Sequence, residues 1–189
     1  MTDFTSKING YFNRLTDAIK NLNRDEVNNF INTLLRARDN GKHIFVMGNG
    51  GSGATASHYC CDFNKGMSYQ QSSRFKLICL NDNIPTMLAY SNDVGYDDVF
   101  VEQLKNFLEP GDLVIGISGS GNSKNVLKAI DYANANGAET MGLSGFSGGE
   151  LKKRAKHFVH VNVADMQIAE DVHMALCHMM YSILMTNKN

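Results

Sequence analysis

His43-Ile44-Phe45-Val46-Met47-Gly48-Asn49-Gly50-Gly51-Ser52-Gly53 joins a short apolar run to a cluster of glycine and small polar residues. The same order returns at Leu113-Val114-Ile115-Gly116-Ile117-Ser118-Gly119-Ser120-Gly121-Asn122-Ser123. An apolar run, then turn residues, then a helical pattern reads as strand, loop and helix. His43–Met47 and Leu113–Ile117 are thus two strand candidates, and Phe75–Leu80, Thr140–Leu143 and Phe158–Val161 are three more. Between them lie helix-like stretches at about 53–66, 84–91, 97–108, 123–136 and 148–155, with a last one over 166–186. Strands alternating with helices predict a three-layer, doubly wound α/β fold with a parallel sheet.

Upstream, Ile8, Phe12, Leu15, Ile19 and Leu22 step by four and three, a seam that is expected to bury one helix face. Asn23 with Glu26 reads as a capping box opening a second helix. Val27, Phe30, Ile31, Leu34 and Leu35 form its stripe, and Gly41 ends it. Two helices are too little for a core of their own. Residues 1–40 are therefore expected to be a helical oligomerisation segment beside an α/β domain at 41–189, one structural domain overall.

The net charge of −1 gives no field that would gather nucleic acid or an anionic membrane. No run approaches the roughly 20 apolar residues of a membrane span, and MTDFTSKING lacks a signal-peptide pattern. Cys60, Cys61, Cys79 and Cys177 form no C-x-x-C pair and read as reduced residues of a cytoplasmic protein.

An anion must then be held locally. Both glycine-serine loops sit where an α/β sheet places its ligands, outside the carboxyl ends of strands. Glycines let the backbone approach closely, serines add hydroxyls, and the next helix offers free N–H groups and a positive dipole. Gly48–Gly53 lacks the acidic partner of a dinucleotide fingerprint and the Gly-Lys-Ser/Thr of a P-loop, so no nucleotide cofactor is expected. Glycine and serine also serve as plain turn residues, but two such loops, each between strand and helix, favour phosphate binding.

On the following helix His58 and Asp62 share a face at i, i+4. The terminal helix carries Glu170, Asp171, His173 and His178, of which Asp171 and His173 read as structural. Glu170 and His178 are about 80° apart around the helix and roughly 12 Å apart along it. That spacing leaves both a shared ligand and a purely structural role open.

Gly48-Asn49-Gly50-Gly51-Ser52, Ser118-Gly119-Ser120-Gly121-Asn122-Ser123 and Leu143-Ser144-Gly145-Phe146-Ser147-Gly148-Gly149 together resemble the bacterial sedoheptulose 7-phosphate isomerases. These are the phosphoheptose isomerases of the SIS (sugar isomerase) class. The resemblance implies the flavodoxin-like SIS fold with two N-terminal helices, and a cytoplasmic homotetramer whose ligand is a small sugar phosphate. It implies substrate contacts at Asn49, Gly50, Gly51, Ser52, Asn92 and Asp93, and a phosphate cradle at Ser118, Gly119, Ser120 and Ser123. His58, Asp62, Glu170 and His178 match the positions that bind zinc, one ion per subunit, or move the proton. The family usually has glutamate at Asp62, glutamine at Glu170 and threonine at Gly119.

The reaction so implied converts sedoheptulose 7-phosphate to D-glycero-D-manno-heptose 7-phosphate through an enediol. Asp62 is the candidate base and His178 its acid–base partner, with Glu170 as the alternative base if a metal engages Asp62. An SIS isomerase for another sugar phosphate, or a non-catalytic sugar-phosphate-binding regulator, are the competing readings.

Overall fold

A computed structural model describes residues 1–186. In chain order the elements are α1 (Thr5–Lys20), α2 (Arg24–Asp39), β1 (His43–Gly48) and α3 (Gly51–Cys61), the last continued by a π-helical turn, Asp62–Gly66. Then come β2 (Lys76–Cys79), α4 (Ile84–Asp93), a 3-10 turn (Tyr96–Asp98), α5 (Val101–Phe107) and β3 (Leu113–Ser118). The chain closes with α6 (Lys124–Ala135), β4 (Glu139–Ser144), α7 (Gly149–Arg154), β5 (His157–His160) and α8 (Met166–Thr186). The strands form one sheet in the order β2-β1-β3-β4-β5, every pair parallel.

Both faces of the sheet are covered, as a parallel sheet requires. Alternate residues of β1 therefore enter different cores. Ile44 and Val46 pack with Phe30, Leu34, Tyr59, Phe63, Ile168 and Val172 from α2, α3, the π-helical turn and α8. Phe45 and Met47 pack with Phe100, Leu104, Val126, Ile130 and Leu151 from the opposite layer. No described helix is long and apolar enough to cross a membrane.

The Asn23 side chain caps α2 by accepting from the Asp25 and Glu26 amides. Glu26 Oε1 reaches back to the Asn23 side-chain amide at 3.4 Å, not to its backbone N–H, while Glu26 Oε2 accepts the His160 amide at 3.0 Å and ties α2 to β5. Within one chain the seam read on α1 divides. Tyr11, Leu15, Ala18 and Leu22 face the core, whereas Ile8, Phe12 and Ile19 are exposed and no residue of α1 is buried. The helix bears two adjoining apolar stripes, and the core takes only one.

His173 on α8 lies fully buried, and among the described residues neither ring nitrogen has a partner in good hydrogen-bond geometry; the Ser144 backbone gives at most a weak contact. Burial pushes its pKa down to about 4, against a weaker upward pull from the Ser144 backbone. The unfolded chain then binds a proton near pH 6.5 that the folded chain refuses until about pH 4. Stability contributed by the neutral ring is complete above the unfolded pKa and falls as pH drops through this window. From pH 8 to 5 the loss should be about 2 kcal/mol. Urea unfolding of wild type and His173→Leu at both pH values checks this, since the variant should lose less; equal losses would contradict it.

Candidate active site

The strand order reverses direction between β1 and β3. The chain leaves β1 for α3 on one face and leaves β3 for α6 on the other, which opens a crevice at their carboxyl ends. The crevice, of about 260 Å³, is lined by Asn49, Gly50, Gly51 and Ser52 from the first loop. Ser118, Gly119, Ser120 and Ser123 line it from the second loop, and Met166 and Glu170 from α8. Among the expected contacts, Asn92 and Asp93 alone lie off this wall. They sit at the end of α4 and bond to each other at 2.7 Å, and Asp93 lines a separate shallow depression.

Ser123 is the N-cap residue of α6, but its hydroxyl pairs with Ser118 Oγ at 3.0 Å instead of capping the helix. Asn125 Oδ1 takes the Val126 amide. The Lys124 and Asn125 amides, at the first two helical positions, have no partner within the helix. They give the second loop free donors and the positive end of a 12-residue helix. Ser120 Oγ accepts the Asn122 amide at 3.2 Å, which shapes the turn from within.

The first loop is fixed to this cradle by side chains that sequence reading did not single out. Asn49 and Asn125 exchange two amide hydrogen bonds of 2.9 Å each, and Tyr96 donates to Asn49 Oδ1 at 2.8 Å. Asn125 in the first turn of α6 and Tyr96 in a 3-10 turn carry no local pattern that would mark them. Only the folded crevice brings them to Asn49.

Glu170 approaches the N-terminal end of α3. A Cβ on Gly51 would collide with its carboxylate, so glycine here makes room for the acid. Two turns along α3 a second cluster forms. His58 Nε2 lies 2.9 Å from His178 Nε2 and 3.3 Å from Asp62 Oδ2, which in turn is 4.0 Å from His178 Nε2. All three ligand atoms fall within 4.8 Å of one another. Glu170 is not part of this group: eight residues of straight helix separate it from His178, roughly 12 Å. The expected four-residue set thus resolves, within one chain, into a His-Asp-His triad and a carboxylate at the glycine loop.

The triad lines its own open cavity of about 420 Å³ with Cys61, Lys65, Gly66 and Tyr181. Asp62 heads the π-helical turn, closed by the Met67 amide on its carbonyl at 2.8 Å. Such turns recur at functional sites because they re-aim a side chain. Cys177 donates to Asp62 Oδ2 at 3.8 Å, and burial pushes the pKa of this thiol up. Two imidazole nitrogens and a carboxylate oxygen are suitable donors for a zinc-type ion. With one proton between them the facing Nε2 atoms can share a hydrogen bond, and a cation satisfies both at once. Asp171 serves structure: it accepts a short bond from the Tyr11 hydroxyl, which raises that phenol to about 12.

Residues 9–145 match the SIS domain family. A protein named "probable phosphoheptose isomerase" from Thermoplasma volcanium is 35% identical over 88% of this chain and 80% of its own length. The phosphoheptose isomerase of Geotalea daltonii is 34% identical over 82% of this chain and 80% of that protein. The solved phosphoheptose isomerase from Neisseria gonorrhoeae superposes with a TM-score of 0.87 at 26% identity, covering 97% of this chain and all of that one. Matched sequence and superposed fold agree, and the chain belongs to the SIS domain family.

Proposed function

We propose that this chain is an aldose–ketose isomerase that converts sedoheptulose 7-phosphate to D-glycero-D-manno-heptose 7-phosphate through an enediol. The observation that carries the reading is the pairing of a phosphate-sized donor cradle with acid–base side chains on the neighbouring α3–α8 surface. The names of its relatives support the same substrate.

The cradle at Ser118, Gly119, Ser120 and Ser123 holds the phosphate through backbone donors and hydroxyls. Asn49, Gly50, Gly51 and Ser52 meet the sugar chain. Binding far from the reacting carbons orients them for proton transfer. Asp62 removes the C–H proton, and His178 donates to and accepts from the oxygen that carries developing charge. His58, Asp62 and His178 would hold one zinc ion per chain, which when bound supplies carbonyl polarisation and charge stabilisation. A second reading makes Glu170 the base. It lines the crevice with the loops and stands clear of the imidazole pair, and a carboxylate committed to a cation is a poor base.

The working assembly is a homotetramer in the cytoplasm, with residues 1–40 as the oligomerisation segment of the 41–189 domain. The bare stripe of Phe4, Ile8, Phe12 and Ile19 supports this, since exposed apolar area of this kind is usually covered by a partner. Ile8→Glu with Phe12→Glu should dissociate the assembly. Sedimentation should then find the 20.9 kDa chain where wild type sediments as a larger species; a monomeric wild type would contradict it. In that assembly Asn92 and Asp93 would meet a substrate held by a neighbouring subunit, a role supported by their exposure beside the apolar Ile84, Leu88 and Val94.

Assay of the purified protein against a panel of aldose and ketose phosphates tests the substrate. Turnover should favour sedoheptulose 7-phosphate and be lost for unphosphorylated sedoheptulose. Preference for a shorter sugar phosphate would shift the assignment within the family, and binding without turnover would make the chain a sensor.

A further inference from the structure

Leu143-Ser144-Gly145-Phe146-Ser147-Gly148-Gly149 does not line the crevice, yet it is pressed against the loop that does. Gly145 donates its amide to Gly119 O at 2.8 Å, Leu151 to Gly121 O at 2.9 Å, and Glu150 to Asn122 Oδ1 at 3.1 Å. A Cβ on Gly149 would strike the backbone of Ser120 and Gly121. The two loops are therefore one double-layered unit, and the outer layer sets where the inner layer's donors lie.

The outer layer turns on Phe146, whose φ of 48° is left-handed, a conformation that non-glycine residues adopt at a cost. Its amide donates to Val163 O at 2.9 Å, and its carbonyl faces His160 Nε2 at 2.9 Å. On the other side of that ring, Nδ1 lies 3.1 Å from Lys152 Nζ. An ammonium group only donates, so Nδ1 accepts and the proton sits on Nε2, where it is given to Phe146 O. The tautomer is set by the lysine. His160 itself is anchored at the end of β5, where its amide bonds Glu26.

We propose that His160, with Lys152 behind it, is a positioning residue for phosphate: it holds Phe146 left-handed and so fixes the outer loop against Gly119 and Gly121. His160 touches no substrate. It acts through two backbone layers, and its removal lets Phe146 relax and the cradle's donors spread. The inference rests on the phosphate role proposed for residues 118–123, so the test first establishes that role.

The experiment titrates inorganic phosphate and measures kcat and KM on sedoheptulose 7-phosphate, with thermal melts to report folding. Wild type should bind phosphate; a wild type that does not would remove the cradle itself and this inference with it. His160→Ala should weaken phosphate and raise KM by about tenfold, the size of one lost hydrogen bond, with kcat within about twofold. His160→Gln, which keeps a donor near Nε2, should stay within about threefold of wild type. Phe146→Gly in the His160→Ala background should restore most of the affinity, because glycine holds the left-handed turn unaided. If His160→Ala fails to fold, Phe146→Val carries the same expectation, since a β-branched residue resists positive φ. Wild-type phosphate affinity in His160→Ala or Phe146→Val, an equal fall in kcat, or no recovery in the double variant would overturn the proposal.

Discussion

Asp62→Asn is expected to lower the rate of carbon-bound proton removal by about a thousandfold, with substrate affinity changed far less. An amide cannot accept the proton, yet it has nearly the volume of the acid, so the π-helical turn and its bond from the Met67 amide should persist. The loss has two physical sources. The base disappears, and the triad loses its one negative charge, leaving His58 and His178 facing each other at 2.9 Å without a counter-charge. Glu170→Gln separates these readings. If Glu170 is the base, it rather than Asp62 should abolish the step, while Asp62→Asn should chiefly reduce the zinc content of the purified protein. Single-turnover kinetics and metal analysis of both variants decide it. Activity near wild type in both would show that neither carboxylate moves the proton.

Gly121→Ala should damage the cradle more than any substitution of its serines. Gly121 has φ of +69°, and a Cβ there would lie against the carbonyl of Gly148 and the backbone of Gly149. Left-handed alanine alone costs about 1–2 kcal/mol. The clash adds to this because two backbones must separate, and neither can yield by a rotamer change. A stability loss of about 2–4 kcal/mol is expected, with phosphate affinity reduced by about a hundredfold. Urea unfolding and phosphate titration check the two parts. A variant that melted and bound like wild type would mean that the loops are not in contact in solution.

The strands and crossover helices were legible because their apolar runs are bounded by turn residues. His43–Met47 became His43–Gly48, and Leu113–Ile117 became Leu113–Ser118. The strand ends moved by a residue or two because sheet pairing, not composition, decides where a strand stops. The crevice loops were legible for a related reason, since strand, glycine and serine, then helix is a local pattern. Contacts between distant segments were not. The i, i+4 spacing ties His58 to Asp62, and only the packing of α8 on α3 adds His178 and leaves Glu170 at Gly51. On α1 the sequence has two apolar stripes, and periodicity alone does not say which one the core receives. The π-helical turn was hidden too: Gly66 at its end lies against the Tyr181 ring from the far end of the chain, a contact that no local pattern announces.

The isomerisation proposed for this chain is a proton transfer between adjacent carbons of a phosphorylated sugar. Incubating the wild-type protein with sedoheptulose 7-phosphate in deuterated water, and following the C1 protons by NMR, measures that step directly. Exchange of one C1 proton for deuterium at a rate at least comparable to turnover, with product appearing, is the predicted result. It should be lost in Asp62→Asn or in Glu170→Gln, whichever carboxylate is the base, and should need the phosphate group. Product formed with its hydrogen retained from C1 in every turnover, and at a rate that neither Asp62→Asn nor Glu170→Gln changes, would point to direct hydride transfer and contradict the enediol. Full binding of the substrate with no exchange and no product would contradict isomerisation altogether.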